Sequence, residues 1–205
     1  MARWTSAVLG VAVTLAAGSP AAVADSEADL AKRLRQSTDV LNAMAGGASP
    51  EIPRELLAHA RAVAVFPAAR VLHHRRGSFG LQVGGQVVDL VLVIMSQQGV
   101  DRLLRSETTL GGDASLAAGP KSLYQGAATD GTFKAEIYSY ARSNGLFAGA
   151  SFEGATVQPD GGAIRKLCGA QADSREVLLG GKFPVPAPAR SLVGALGKLA
   201  PPPRR

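Results

Sequence analysis

From Ser26 onward, apolar residues recur at helical spacing. Leu30, Leu34, Leu41 and Ala45 share one side of a helix that Ser26 and Asp29 open as a capping box and that Gly46-Gly47 end. Lys32, Arg33 and Arg35 fall on its outer face. Ser49-Pro50 and Pro53 open a second, short helix with Leu56 and Leu57 inward, which runs into a strand over Ala62 to Phe66 closed by Pro67. A basic connector, Arg70 to Arg76, follows. The pattern then turns to β. Ser78 to Val83 and Val87 to Met95 read as two strands separated by Gly84-Gly85, and the unbroken apolar run Leu90 to Met95 predicts burial on both faces.

Gln98 to Leu104 reads as a short helix and Leu110 to Pro120 as a small-residue loop or winding strand. From Thr132 to Arg142 the chain alternates, with Phe133, Ala135, Ile137 and Ser139 on one face and Lys134, Glu136, Tyr138 and Tyr140 on the other. Ser143-Asn144-Gly145 supplies a hairpin turn, and Leu146 to Val157 returns as the second strand. Asp173 with Glu176 caps a short helix that Gly180-Gly181 end, and Pro184, Pro186 and Pro188 form an extended spacer. Arg190 to Leu199 is a last amphipathic segment. Helices at both ends with consecutive strands between them predict an α+β domain: a mainly antiparallel, glycine-rich sheet or partial barrel with flanking N- and C-terminal helices.

Before all this stands an address. Met1 to Thr5 form a short positive region, Ala7 to Ala17 an apolar run, and Ala22-Val-Ala24 an A-x-A site, so residues 1–24 read as a signal peptide cleaved before Asp25. The competing reading is an uncleaved anchor, but the run falls short of the ~20 residues that span a bilayer. The organisation expected is therefore a signal peptide (1–24), an N-terminal amphipathic helix (25–48), one domain (49–199) and a basic tail (200–205), exported and periplasmic or secreted.

The 24 glycines among 205 residues exceed the usual ~7%, and 46% hydrophobic residues exclude a disordered chain. Yet no phosphate-cradling glycine loop of either standard spacing occurs. One Cys and three His exclude the common zinc and iron–sulfur sites. The nearest approach to a nucleophile elbow, Gly149 to Gly154 around Ser151, has one residue too many and lies in an alternating strand. Cys168 reads as a small semi-buried residue and His73-His74 as part of a solvated basic loop. Asp89, Asp113 and Glu153 sit in apolar or glycine-rich stretches, where a buried acid is either catalytic or paired; with Arg142 and Arg102 available, structural pairing is preferred. Asp113, Arg142 and Glu153 are thus structural polar candidates, with no catalytic residue, metal or cofactor expected.

Three segments, in order and spacing, resemble the SYLF-domain lipid-binding family: Gly77-Ser-Phe-Gly-Leu-Gln-Val-Gly-Gly-Gln-Val-Val-Asp-Leu-Val-Leu-Val-Ile-Met95, Leu110-Gly-Gly-Asp-Ala-Ser-Leu-Ala-Ala-Gly-Pro120, and Ile137-Tyr-Ser-Tyr-Ala-Arg-Ser-Asn-Gly-Leu-Phe-Ala-Gly-Ala-Ser-Phe-Glu-Gly154. The resemblance covers roughly residues 53 to 195. It implies a membrane-associated, non-catalytic binding domain, phosphoinositide-binding in animal members and actin-associated in fungal ones. The chain departs from the family between Phe66-Pro67 and the glycine motif, where a longer glycine-rich segment and a tryptophan strand are usual and only Ala68 to Arg76 stand here. Either the domain tolerates losing a hairpin or it leaves a sheet edge unprotected.

The net charge of +6 sharpens this picture. All 16 acidic residues lie within residues 25–176 together with 16 of the 22 basic ones, whereas residues 177–205 hold Lys182, Arg190, Lys198, Arg204 and Arg205 and no acid. The body is neutral and the tail cationic. Lys32, Arg33, Arg35, Arg190, Leu192, Leu196, Lys198, Arg204 and Arg205 are accordingly the candidate contacts to an anionic lipid surface. The alternative is that both amphipathic helices dock their apolar stripes on the core. An extracytoplasmic protein partner is the second functional reading and an unrecognised hydrolase the third; nucleic acid is not expected as a partner.

Overall fold

The apolar runs at 62–66 and 87–94 and the strand at 137–143 pair into one sheet. The computed structural model describes residues 8–9, 25–74, 83–105, 107–110, 116–119, 135–143, 146–148 and 156–200. In chain order these form β1 (Val8–Leu9), α1 (Glu27–Ala45), α2 (Arg54–His59), β2 (Ala62–His74), β3 (Val83–Ile94), α3 (Gln97–Leu103), β4 (Thr108–Thr109) and β5 (Leu116–Ala118). There follow β6 (Ile137–Ser143), β7 (Leu146–Ala148), β8 (Thr156–Val157), α4 (Gly161–Cys168), α5 (Ser174–Leu178), a 3-10 turn at Ala187–Ala189, and α6 (Arg190–Leu199).

The sheet runs β1-β2-β3-β6-β5, with β7 also on β6. Its long ladders, β2–β3 and β3–β6, are antiparallel, while β1 and β5 add as parallel strands at the edges. Among the described residues it is open, an α+β arrangement without barrel closure. β3 is central and its side chains alternate between two cores. Val91 and Val93 join Val40, Leu41, Met44, Leu56, Leu57, Tyr138 and Tyr140 on the face covered by α1, α2 and α6. Leu90, Leu92 and Ile94 join Phe66, Val100, Leu103, Leu110 and Val157 on the other, under α3 and the two-stranded β4–β8 ribbon. The double burial read from this run holds from Leu90 to Ile94, while Met95 lies past the strand and is only partly buried.

Several boundaries differ from the sequence pattern. Pro67 does not close β2. The register passes from Phe66↔Leu90 to Ala69↔Val88, so Pro67 and Ala68 form a bulge with one extra residue on β2. Ala68 takes φ +52°, and its N–H donates to Asp89 Oδ1 at 2.9 Å, a partner the interrupted ladder cannot supply. The supposed basic connector is therefore strand as far as His74. Gly84-Gly85 do not separate two strands either; they pair with His73 and Leu72 inside β3, because a long partner strand overrides weak local propensity. The 143–146 hairpin forms, with Ser143 opposite Leu146, but Thr156–Val157 leave it to pair with Thr108–Thr109. Ala135, expected beside Ile137, packs on the opposite face because regular alternation begins only at Ile137.

Candidate functional site

Helix α1 carries the first group of candidates. Ser26 accepts from the Asp29 N–H at 3.1 Å while its own N–H and hydroxyl donate to Asp29 Oδ2 at 3.2 and 2.6 Å, which is the capping box read from sequence. Those donors hold the Asp29 carboxyl below the usual carboxylate value, with smaller contributions from Lys32 and Arg33. Because Leu30, Leu41, Met44 and Ala45 fix the inner face, Lys32 and Arg35 stand exposed on the outer one. Neither makes an ion pair among the described residues. Arg33 is different: half-buried, it pairs with Asp25 and lies 3.9 Å from Asp160, so its charge is already neutralised.

The C-terminal candidates divide in the same way. Arg190 and Lys198 are exposed and, among the described residues, without an acidic partner. Leu192, Leu196 and Leu199 are 0%, 7% and 7% exposed and pack in the core formed with α1 and α2. In this conformation the stripe docks on the core, as the alternative has it, and Leu192 and Leu196 do not lie at the surface. Fully burying a leucine is worth about 1.5–3 kcal/mol, and packing on α1 and α2 supplies that burial without a membrane. A cation near an anionic surface adds about 1 kcal/mol. Arg204 and Arg205, like Asp113 and Glu153, lie outside the described residues.

Arg142 is paired, as the sequence predicts, but to an acid the pattern did not single out. Its Nε and Nη2 donate to Glu51 Oε1 at 3.1 and 2.5 Å, and Nη2 donates also to the Ala43 carbonyl at 3.2 Å, tying β6 to the α1–α2 connection. Arg102 pairs with Glu136 at 3.1 Å, and Arg175 with Asp101 at 2.7 Å. Asp89 accepts the Ala68 N–H rather than an arginine. These acids serve the fold. Burial pushes the Tyr140 hydroxyl far up, with Tyr138 acting in the same direction, and raises the Cys168 thiol, so neither is primed as an ionised group at neutral pH.

One cationic contributor escaped the sequence pattern. α4 begins at Asp160, whose carboxylate accepts the Ala163 N–H at 2.9 Å, and packs beside α1 with Arg165 and Lys166 exposed. Lys166 donates to the Asp25 carbonyl. An Asp before Gly161-Gly162 was the available signal, masked by two glycines that read as a turn. The outer faces of α1, α4 and α6 together expose six cations, Lys32, Arg35, Arg165, Lys166, Arg190 and Lys198, against three acids, Glu27, Asp29 and Asp39, all on α1. Among the described residues no cluster of His, Cys, Asp and Glu could hold a metal, and no helix is long and apolar enough to cross a membrane.

Comparison with known proteins adds the following. A family profile described as Ysc84, Las17-binding protein actin regulator, matches residues 75–199. An SH3 domain-containing protein of Schizosaccharomyces pombe is 33% identical over 120 residues, 57% of this chain and 28% of that protein. LAS seventeen-binding protein 3 of Saccharomyces cerevisiae is 34% identical over 111 residues, 53% and 24% respectively. SH3 domain-containing YSC84-like protein 1 of Rattus norvegicus is 30% identical over 114 residues, 55% and 33%. The matches span between about a quarter and a third of the length of these relatives.

Proposed function

The chain belongs to the Ysc84 (SYLF) family, and from that premise we propose that it is an exported, non-catalytic binding module that associates peripherally with anionic lipid surfaces. The observation that carries this reading is the set of exposed cations that form no ion pair among the described residues, Lys32 and Arg35 on α1 and Arg190 and Lys198 on α6, displayed outward by two helices packed on one another. With the leucine stripe buried, attachment in this conformation is electrostatic, reversible and salt-sensitive. The apolar segment Ala7 to Ala17 and the Ala22-Val-Ala24 site support export, with Asp25 as the first mature residue. A protein partner is the second reading, favoured by the family's description as a Las17-binding actin regulator and by the name of one relative, LAS seventeen-binding protein 3.

The test is co-sedimentation with vesicles of phosphatidylcholine alone or with added phosphatidylserine, across a salt series. The comparison is between the unsubstituted chain and the fourfold variant Lys32→Gln, Arg35→Gln, Arg190→Gln, Lys198→Gln. At about 1 kcal/mol per cation, the variant loses well over tenfold in affinity for the anionic vesicles. This comparison separates surface attachment from any contact made by the apolar N-terminal segment. Equal binding by the two proteins, or no preference for the anionic vesicles, overturns the lipid reading. Export is checked by the N-terminal residue of protein recovered outside the cytoplasm, which is Asp25 if cleavage follows Ala24.

A further inference from the structure

We propose that α6 is a membrane-inserting latch, a helix that exchanges its core-facing stripe Leu192, Leu196 and Leu199 for the acyl boundary of an anionic bilayer. The inference rests on the lipid reading above and adds to it the element that enters the membrane. It starts from what holds α6 in place. Among the described residues no side-chain hydrogen bond or ion pair joins α6 to the body; the contact is apolar alone. α1, α3, α4, α5 and β6 by contrast carry polar ties. Arg33 reaches Asp25 and Asp160, Arg142 reaches Glu51 and Ala43, and Arg175 of α5 reaches Asp101 of α3. A purely apolar contact is the kind a bilayer can replace, since the acyl boundary offers the same leucines an equivalent environment.

The helix is also weak in itself. Its N-cap, Ala189, makes no side-chain cap bond. Gly194 and Gly197 sit inside it, and a Cβ added at either would meet nothing within 4 Å, so no close packing explains them. Two interior glycines lower helix propensity, which makes the helical state of this segment dependent on an apolar surface to fold against. Both cations lie opposite the stripe, so an α6 turned face-down on a bilayer keeps Arg190 and Lys198 at headgroup level. The tether is long enough: residues 179–186 form no helix or strand and span up to roughly 25 Å when extended. Release of α6 uncovers part of the apolar side of α1, whose Val40, Leu41 and Met44 belong to the same core cluster as the stripe.

The experiment uses the full chain with Trp4→Phe and Val193→Trp, so that the single tryptophan reports from the half-buried flank of the stripe. It is mixed with phosphatidylserine-containing vesicles with and without brominated phosphatidylcholine. Hydrogen exchange on the unsubstituted chain, with and without vesicles, provides a readout independent of that substitution. Insertion gives a blue shift, bromine quenching of the Trp at 193, and faster exchange of the α1 amides at 40–45. Salt-sensitive sedimentation with an unquenched Trp and unchanged exchange at 40–45 overturns the latch while leaving peripheral lipid binding intact. Absence of salt-sensitive sedimentation overturns both.

Discussion

Gly119 sits directly against the Tyr140 ring, and replacing it with alanine tests the packing of the core beneath the candidate surface. A Cβ at this position would lie 2.1 Å from Cζ, 2.3 Å from Cε2 and 2.5 Å from Cε1 of Tyr140. Ordinary contact begins near 3.4 Å, so ring or backbone must move by more than an ångström. Neither has room. Tyr140 is 0% exposed in the core shared by α1 and α6, and the Gly119 N–H donates to the Ser139 carbonyl at 2.8 Å, fixing the backbone to β6. Overpacking of this kind costs about 3 kcal/mol. The reduced freedom of an unfolded alanine relative to glycine offsets up to about 1 kcal/mol, leaving a net destabilisation of about 2 kcal/mol. In a chain of this size that corresponds to a Tm lower by roughly 4–8 °C. The assay is urea and thermal unfolding of Gly119→Ala in two backgrounds, with Tyr140 intact and with Tyr140→Ala. In the second background the clash is gone, and the same substitution is neutral or slightly stabilising, giving a coupling energy of about 2 kcal/mol or more. A Gly119→Ala effect equal in the two backgrounds refutes the assignment of the clash to the ring.

Arg142→Met leaves Glu51, whose Oε2 has no hydrogen-bond partner among the described residues, with an unpaired carboxylate only 19% exposed. The expected loss is about 1–3 kcal/mol in chemical denaturation, and replacing both residues by methionine is less damaging than replacing Arg142 alone; the opposite order refutes a structural ion pair. Asp29 gives a pH signature. Its carboxyl is depressed in the folded chain, chiefly by Ser26, so its contribution is fully present above the unfolded value near 3.9 and is lost as pH falls through the lower folded value. The difference in thermal stability between the unsubstituted chain and Ser26→Ala therefore narrows below about pH 4, and a difference constant from pH 2 to 7 excludes the assignment.

The parts of this fold legible without coordinates are those decided within a few residues. The Ser26–Asp29 box, the inward pair Leu56 and Leu57, the Asp173 cap and the double burial of residues 90–94 each follow from spacing alone, and each is found where spacing places it. The amphipathic segment at 190–199 was equally plain as a helix. Its destination was not, because a leucine stripe with flanking cations fits a protein core and a bilayer boundary equally well; only the apposition of α6 to α1 settles where the stripe lies in this conformation.

Other features needed a distant partner to be seen. The passage of β2 through Pro67 depends on Asp89, 21 residues away, receiving the Ala68 N–H. The strand character of Gly84-Gly85 comes from Leu72 and His73 opposite them, and the choice of Glu51 for Arg142 from a contact across 91 residues. Periodicity and capping are short-range consequences of backbone geometry, so local pattern was enough for α1, α2, α3, α5 and α6, for the apolar run of the central strand and for the separation of a neutral body from a cationic tail, but not for α4 behind Gly161-Gly162. Bulges, ion-pair partners and the docking of α6 are decided by groups brought together only when the sheet assembles. For that reason the tertiary structure alone distinguishes the cations left free on the surface from those, such as Arg33 and Arg142, already held by an acid.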